Sequence, residues 1–347
     1  MASTFAPLSR RELLRLGLGA GAAAGLPLLL GGCRAAPRAQ LWVPARFLPT
    51  AWIKALPAGW RARQLDEPAA VLASRSAVPP PDLVGLSDGW AAEAREAWQP
   101  FPAPDLLGRL APWAVPASRL FGGETAPAVA YPWAYAPWVI LLRSRPDLRA
   151  RAGEGWSLLL DPSLRGRLVL PSSPRVCMAL MGGDFERVRR LRQQALAYDE
   201  QDGLNLVLSG AADAAVLPLR PVVPLLRRDQ RLAVIWPASG APLTWQLLLR
   251  PQGSAQLPPL PWLAEALTEP LLTTLLAGGW VPPLPAGVLE PVVRRFPRAI
   301  AALLLPEPGL LQRCWSLPPL EMGARLALQS LWDAAAPDPR DGAGAPR

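Results

Sequence analysis

The sequence predicts an α/β fold. Short apolar runs, each the length of a buried strand, recur along the chain. Segments with helical spacing lie between them, and Gly and Pro clusters such as Pro79-Pro80-Pro81 separate the two kinds. Strands that alternate with helices indicate a sheet covered by helices rather than a sandwich.

The elements follow in order. Residues 40–44 form a first strand, with Leu41, Trp42 and Val43 apolar. A short helix over 49–56 begins with Pro49 in its first turn, where the missing N–H costs nothing. Residues 60–65 alternate as a second strand, and 68–74 form another short helix. A buried strand at 82–86 opens onto Ser87-Asp88-Gly89, with Asp88 placed to cap a helix through Trp90 to Ala97. Residues 100–137 read as irregular, rich in Pro and aromatics, and 139–142 as a buried strand. A turn at 163–166 leads into a strand at 167–170. Phe185, Val188, Leu191, Ala195 and Tyr198 share one helical face, with Arg187, Arg189, Arg190 and Arg192 on the other. A helix over 204–209 ends at Gly210. Strands at 214–217 and 232–236 flank a helix at 222–228, and a further strand covers 243–250. An apolar helical stretch, 261–277, breaks near Pro270 and stops at Gly278-Gly279. A last helix covers 321–335, and 337–347 is a Pro/Gly-rich tail expected to be disordered.

The amino terminus carries a different kind of signal. Ser9-Arg10-Arg11-Glu12 precedes an uncharged run from Leu16 to Leu30, which ends in Leu30-Gly31-Gly32-Cys33. The run is too short for a permanent span. Residues 1–33 resemble a twin-arginine export signal with a lipobox, which makes Cys33 the lipidated residue and 34–39 a tether. The other reading is a plain membrane anchor in which Cys33 is incidental.

Composition narrows the chemistry. The chain has no His, which removes Ser-His and Cys-His nucleophile pairs, histidine metal sites and histidine pH switching. No paired acids or metal-ligand cluster stand at a useful spacing, so the expectation is no catalytic residue, no metal and no cofactor. The net charge of +9 rests almost wholly on Arg, with Lys54 the only lysine. An Arg, Ala and Pro bias of this kind reads as compositional, with solvated Arg faces and no nucleic-acid partner. Cys177 and Cys314 are either a disulfide or two buried small apolar residues.

Four segments, in order and at comparable spacing, resemble extracellular solute-binding proteins of ABC importers, in particular the spermidine/putrescine-binding branch. They are Tyr131-Pro132-Trp133-Ala134-Tyr135 with 139–143, then Trp156-Ser157 through Leu170, then 208–216, and last Ile235-Trp236-Pro237 through Thr244-Trp245-Gln246 to Pro251. The resemblance implies a two-lobed, type II periplasmic-binding-protein-like fold, two α/β lobes joined by two crossing strands. Lobe one would be 40–137 plus 247–336 and lobe two 138–246, with crossings near 138–142 and 245–249.

The resemblance also implies a ligand site, carried over by position to Arg46, Phe47, Ser87, Asp88, Trp133, Tyr135, Ser172, Ser173, Thr244, Trp245 and Gln246. The polyamine branch has carboxylates after the lobe-two strand and at the return crossing, where this chain has Ser172, Ser173 and Gln246, with Arg175 nearby. A buried diamine requires paired anions, so the expected pocket is neutral or mildly receptive to anions, with aromatic walls. On their own, Trp133, Tyr135 and Trp245 also fit core positions, and Ser173 and Asp88 fit plain helix caps.

The implied role is a lipid-anchored, monomeric solute receptor on the periplasmic or outer face of a membrane, delivering a small molecule to a permease and ATPase complex. The alternative is a scaffold or sensor lipoprotein of the same fold that holds no ligand and binds a protein partner.

Overall fold

A computed structural model describes residues 38–337. Arg10, Arg11, Cys33 and the tail beyond 337 lie outside the described residues. Eleven strands among the described residues join one mixed sheet: β1 (Ala39–Pro44), β2 (Trp60–Leu65), β3 (Leu83–Ser87), β4 (Trp98–Gln99), β5 (Ala130–Arg143), β6 (Leu168–Leu170), β7 (Ala195–Tyr198), β8 (Ala214–Pro218), β9 (Leu232–Ile235), β10 (Pro242–Pro251) and β11 (Trp315–Ser316). The spatial order is β2-β1-β3-β10-β5-β8-β6-β7. β4 and β11 pair with β10, and β9 pairs with β5. β1 runs parallel to β2 and β3, with helices Thr50–Lys54 and Pro68–Ala73 as the connections that parallel strands require.

Two antiparallel strands, β5 and β10, lie at the centre. β5 pairs with β10 through Ala130–Pro137, then exchanges partners and pairs with β8 and β9 from Trp138 onward. Its side chains are buried almost throughout, because neighbours cover both faces. This explains why no alternation marked 130–137 as strand, and why Pro132 and Pro137 disguised it. The ladder slips between Gln246 and Leu247, leaving Trp133 as the extra residue of a bulge.

The apolar side chains divide accordingly. One cluster covers β1, β3, the first half of β5, most of β10 and the helices from 260 to 304. Two others lie around the second half of β5 with β6, β8 and β9. The fold is therefore two α/β lobes sharing crossing strands, as the resemblance implied.

Three local readings change. The helix at 185–198 stops at Gln194, capped at its start by Asp184, and Ala195–Tyr198 is β7, parallel to β6. Residues spaced three and four apart continued past the helix end, so periodicity alone did not mark the boundary. Helices Ala286–Val293 and Arg298–Leu304 fill a stretch the pattern left unread, each opened by a Pro in N-cap position. The apolar face of helix Met322–Ala334 packs on the cluster of β6 and the second half of β5 through Leu328, Leu331, Trp332 and the following Ala335, while Arg325 pairs with Glu93. Arg192 lies over the Trp332 ring, 4.1 Å from its centroid, and donates to its backbone carbonyl.

Cys177 and Cys314 are free, Cys177 buried and Cys314 half-buried. Burial pushes the Cys177 thiol up to about 12, the behaviour of a small core residue rather than a reactive one. Among the described residues, no helix is long and apolar enough to cross a membrane.

Candidate functional site

The carboxyl ends of β3 and β6 approach each other from opposite lobes. β3 ends at Ser87, and the chain turns at once into the helix Asp88–Ala92, with Ser87 rather than Asp88 as its N-cap. β6 ends at Leu170 and passes through Pro171-Ser172 to Ser173, whose hydroxyl accepts the Val176 N–H at 3.5 Å at the start of helix Pro174–Leu180. Thr244 of β10 and Trp138 of β5 lie behind them. Together with Gly89, Trp90, Glu93, Arg175, Val176, Leu243 and Leu317 these residues line a cavity of about 380 Å³. This is a volume suited to a small metabolite, since ligand sites begin at roughly 300 Å³. It lies where α/β sheets characteristically hold ligands, beyond the carboxyl ends of the strands.

Of the expected positions, Ser87, Asp88, Ser173 and Thr244 line this cavity. The others lie elsewhere. Phe47 and Trp133 are core residues in edge contact at 5.7 Å, and Trp133 also packs on Trp52 and Trp280. Tyr135 and Trp245 are buried beside Trp113, and Tyr135 borders a separate apolar cavity of about 260 Å³. Trp245 donates its indole N–H to Ser316 Oγ at 2.9 Å. Gln246 pairs in the sheet opposite Ser87 and Ala134. Ser172 is exposed and held by Glu200, which accepts both its N–H (2.7 Å) and its hydroxyl (3.0 Å). Arg46 is exposed in the turn after β1, with a left-handed φ of 61°.

Sequence reasoning missed Trp90, Glu93, Trp138 and Leu317. Trp138 read as ordinary strand, and Leu317 is far away in sequence. The C-terminal segment brings Leu317 to the site. β11 adds parallel to β10 at Pro242 and Leu243, Arg175 donates to the Pro318 carbonyl, and Arg325 reaches Glu93 at 3.4 Å. An adjoining cavity of about 230 Å³ lies between Arg175 and this segment.

The electrostatics are mixed. Asp88 is buried and its Oδ1 accepts the Trp245 N–H at 3.1 Å and, at the 3.5 Å limit, the Thr244 hydroxyl. Burial outweighs these bonds and pushes the carboxyl up to about 6. Arg175 is shifted down by its own burial, opposed by the attraction of Asp88. The cavity thus offers one committed carboxylate (Asp88), one exposed carboxylate (Glu93), one guanidinium (Arg175) and two indole walls. It presents no pair of free anions to a dication, and among the described residues no group of acids and cysteines forms a metal site.

No protein-family model matches the chain. No curated protein matches it in sequence. Solved structures do match its fold. The spermidine/putrescine ABC transporter substrate-binding protein PotD from Streptococcus pneumoniae superposes with a TM-score of 0.69 at 10% identity, covering 86% of this chain and 98% of that one. The TpPotD lipoprotein of Treponema pallidum gives 0.58 at 14% identity, covering 86% and 99%. A periplasmic thiamin-binding protein gives 0.61 at 15% identity, covering 86% and 96%. The similarity spans nearly the whole of each neighbour, so this chain shares the two-lobed fold of these proteins.

Proposed function

We propose that this protein is the substrate-binding lipoprotein of an ABC importer. It captures a small solute between its lobes and presents it to membrane permease and ATPase subunits. The observation that carries this reading is the cavity bordered by Ser87 and Asp88 from one lobe and Ser173 and Arg175 from the other, with β5 and β10 crossing behind it. A ligand that touches both lobes favours their closed arrangement by its differential contacts, and closure turns occupancy into a shape a membrane partner can read. By their names, the structural neighbours include a spermidine/putrescine ABC transporter substrate-binding protein and a periplasmic thiamin-binding protein.

In this reading lobe one comprises 40–137 plus 247 to about 320 and lobe two 138–246, with the helix Met322–Ala334 docked on lobe two. Arg10 and Arg11 direct export by the twin-arginine route, and Cys33 carries the lipid that holds a monomer at the periplasmic or outer membrane face. A polyamine ligand is disfavoured, because Asp88 is occupied by the Trp245 N–H and Glu93 by Arg325.

The test is a thermal-shift screen of the soluble Cys33→Ser protein against amino acids, sugars, organic acids, vitamins and polyamines. A solute present at a hundred times its Kd stabilises by about 2.7 kcal/mol, which appears as a rise of several degrees. A flat response across the library would favour the second reading, a protein-binding scaffold. That reading draws on Asp88 and Ser172 being already satisfied internally.

A further inference from the structure

Two arginines outside the cavity have no carboxylate to balance them. Arg46 follows β1 in lobe one, and Arg220 follows β8 in lobe two. Among the described residues the Arg220 guanidinium makes one hydrogen bond, from Nη2 to the backbone carbonyl of Arg46 at 3.0 Å. Its Nε is fully buried and has no partner. Neither arginine forms an ion pair among the described residues, and the charge that Arg220 experiences is that of Arg46. Burial, with this like charge, lowers the Arg220 pKa to about 10.

The group is nevertheless held firmly. The guanidinium lies over Trp280, 4.4 Å from the ring centroid. Its backbone carbonyl presses on Gly279, where an added Cβ would stand 2.2 Å from the oxygen. Arg46 itself adopts φ 61°, a conformation costly for a residue with a side chain and concentrated at binding sites. A half-buried cation fixed beside another cation, with a donor left over, is an unfavourable arrangement unless something negative completes it.

We propose that Arg46 and Arg220 form a seat for a small oxyanion, a carboxylate or phosphate, bound across the two lobes. Such groups accept from guanidinium forks in bidentate fashion, and these charge-assisted bonds are the strong ones. The proposal rests on the two-lobed solute-binding reading and adds to it an anionic subsite between the same lobes, outside the cavity that carries that reading. An anion here also links the lobes, since each arginine belongs to a different one.

The experiment measures thermal shifts and calorimetric affinities of the Cys33→Ser protein with inorganic phosphate and succinate, using chloride at matched ionic strength as the blank. Arg46→Gln is the principal variant. Arg46 is exposed and meets Arg220 through its backbone, so the substitution leaves the fold intact. Arg294→Gln, which removes an exposed cation paired with Glu290 outside the cavities, is the control. The expected result is stabilisation by phosphate or succinate beyond the chloride blank. Affinity falls about tenfold or more in Arg46→Gln and in Arg220→Gln and is unchanged in Arg294→Gln. Equal affinity in Arg46→Gln and the parent overturns the proposal, as does the absence of any anion effect. If neutral solutes stabilise the protein while no anion does, the anion seat falls and the receptor function stands. If nothing stabilises it, both fall.

Discussion

The backbone N–H of Trp245 donates to the carboxylate of Asp88 at 3.1 Å, a bond that joins the end of β3 to the crossing strand β10 across 157 residues of sequence. The carboxylate is buried, so the bond lies inside the protein and its strength depends on protonation.

That dependence has a sign. Burial raises the folded-state pKa of Asp88 from 3.8 to about 6, so between these values the folded protein binds the proton more tightly than the unfolded chain. The contribution of Asp88 to stability is full below pH 4 and is lost as pH rises through 6. Two pH units correspond to about 3 kcal/mol. Asp88→Asn keeps an acceptor oxygen for Trp245 but no longer titrates. The Tm of Asp88→Asn minus that of the parent should therefore increase between pH 4 and pH 7 and then level off. A difference that stays constant with pH would contradict the assignment.

Trp52 and Trp262 bind each other reciprocally. Each indole N–H donates to the other's backbone carbonyl, at 3.0 and 2.8 Å, and the rings stack at 4.5 Å. Trp52→Phe removes one donor and leaves the Trp262 carbonyl unsatisfied in the core. The combined loss of packing and hydrogen bond should destabilise by about 2–4 kcal/mol, measured by urea unfolding with an unchanged m value.

Gly279 combines a φ of +80° with the carbonyl of Arg220 at its α-carbon. Gly279→Ala should lower the Tm by several degrees, because the new methyl has nowhere to go without moving that carbonyl. It should also weaken anion binding, since it displaces Arg220. Gly59 has the same backbone sign but open space around it, so Gly59→Ala should show only the smaller conformational cost.

Ser173 caps its helix through a long bond of 3.5 Å. Ser173→Ala should cost about 0.5–1 kcal/mol, the low end for a lost N-cap. A much greater loss of solute affinity than of stability would identify its hydroxyl as a ligand contact as well.

The proposed anchoring predicts a clean separation of phenotypes. Cys33→Ser should release an exported, folded protein from the membrane fraction. Replacing both Arg10 and Arg11 with Lys should keep it in the cytoplasm with the leader uncleaved. Membrane retention of Cys33→Ser would exclude the lipid anchor.

Much of the fold was legible locally. β1, β8 and β10 stood out as apolar runs between turn residues and β2 as an alternating one, because each completes its pattern within a few residues. Gly210 marked the end of helix Gly203–Ser209 with a φ of 85°, which only a glycine adopts at little cost. β7 was not legible, because what ends the preceding helix is a parallel partner, β6, distant in sequence.

The site divides along the same line. The resemblance named Ser87, Asp88, Ser173 and Thr244, and these four line the cavity; the end of β3 at Ser87 and Asp88 was also a local feature. Trp133, Tyr135 and Trp245 were placed in the ligand site by resemblance, yet they are core. An aromatic side chain serves either purpose, and which face of β5 it joins depends on the bulge opposite Gln246.

The sequence by itself determined the α/β alternation, the strand ends that supply polar groups, and the absence of histidine chemistry, since each is a property of neighbouring residues or of composition. Only the tertiary structure decided that the C-terminal segment borders the cavity, that Asp88 is occupied by Trp245, and that Arg46 and Arg220 meet without an acid. These are encounters between residues far apart in the chain, set by burial and sheet order, and no local pattern encodes them.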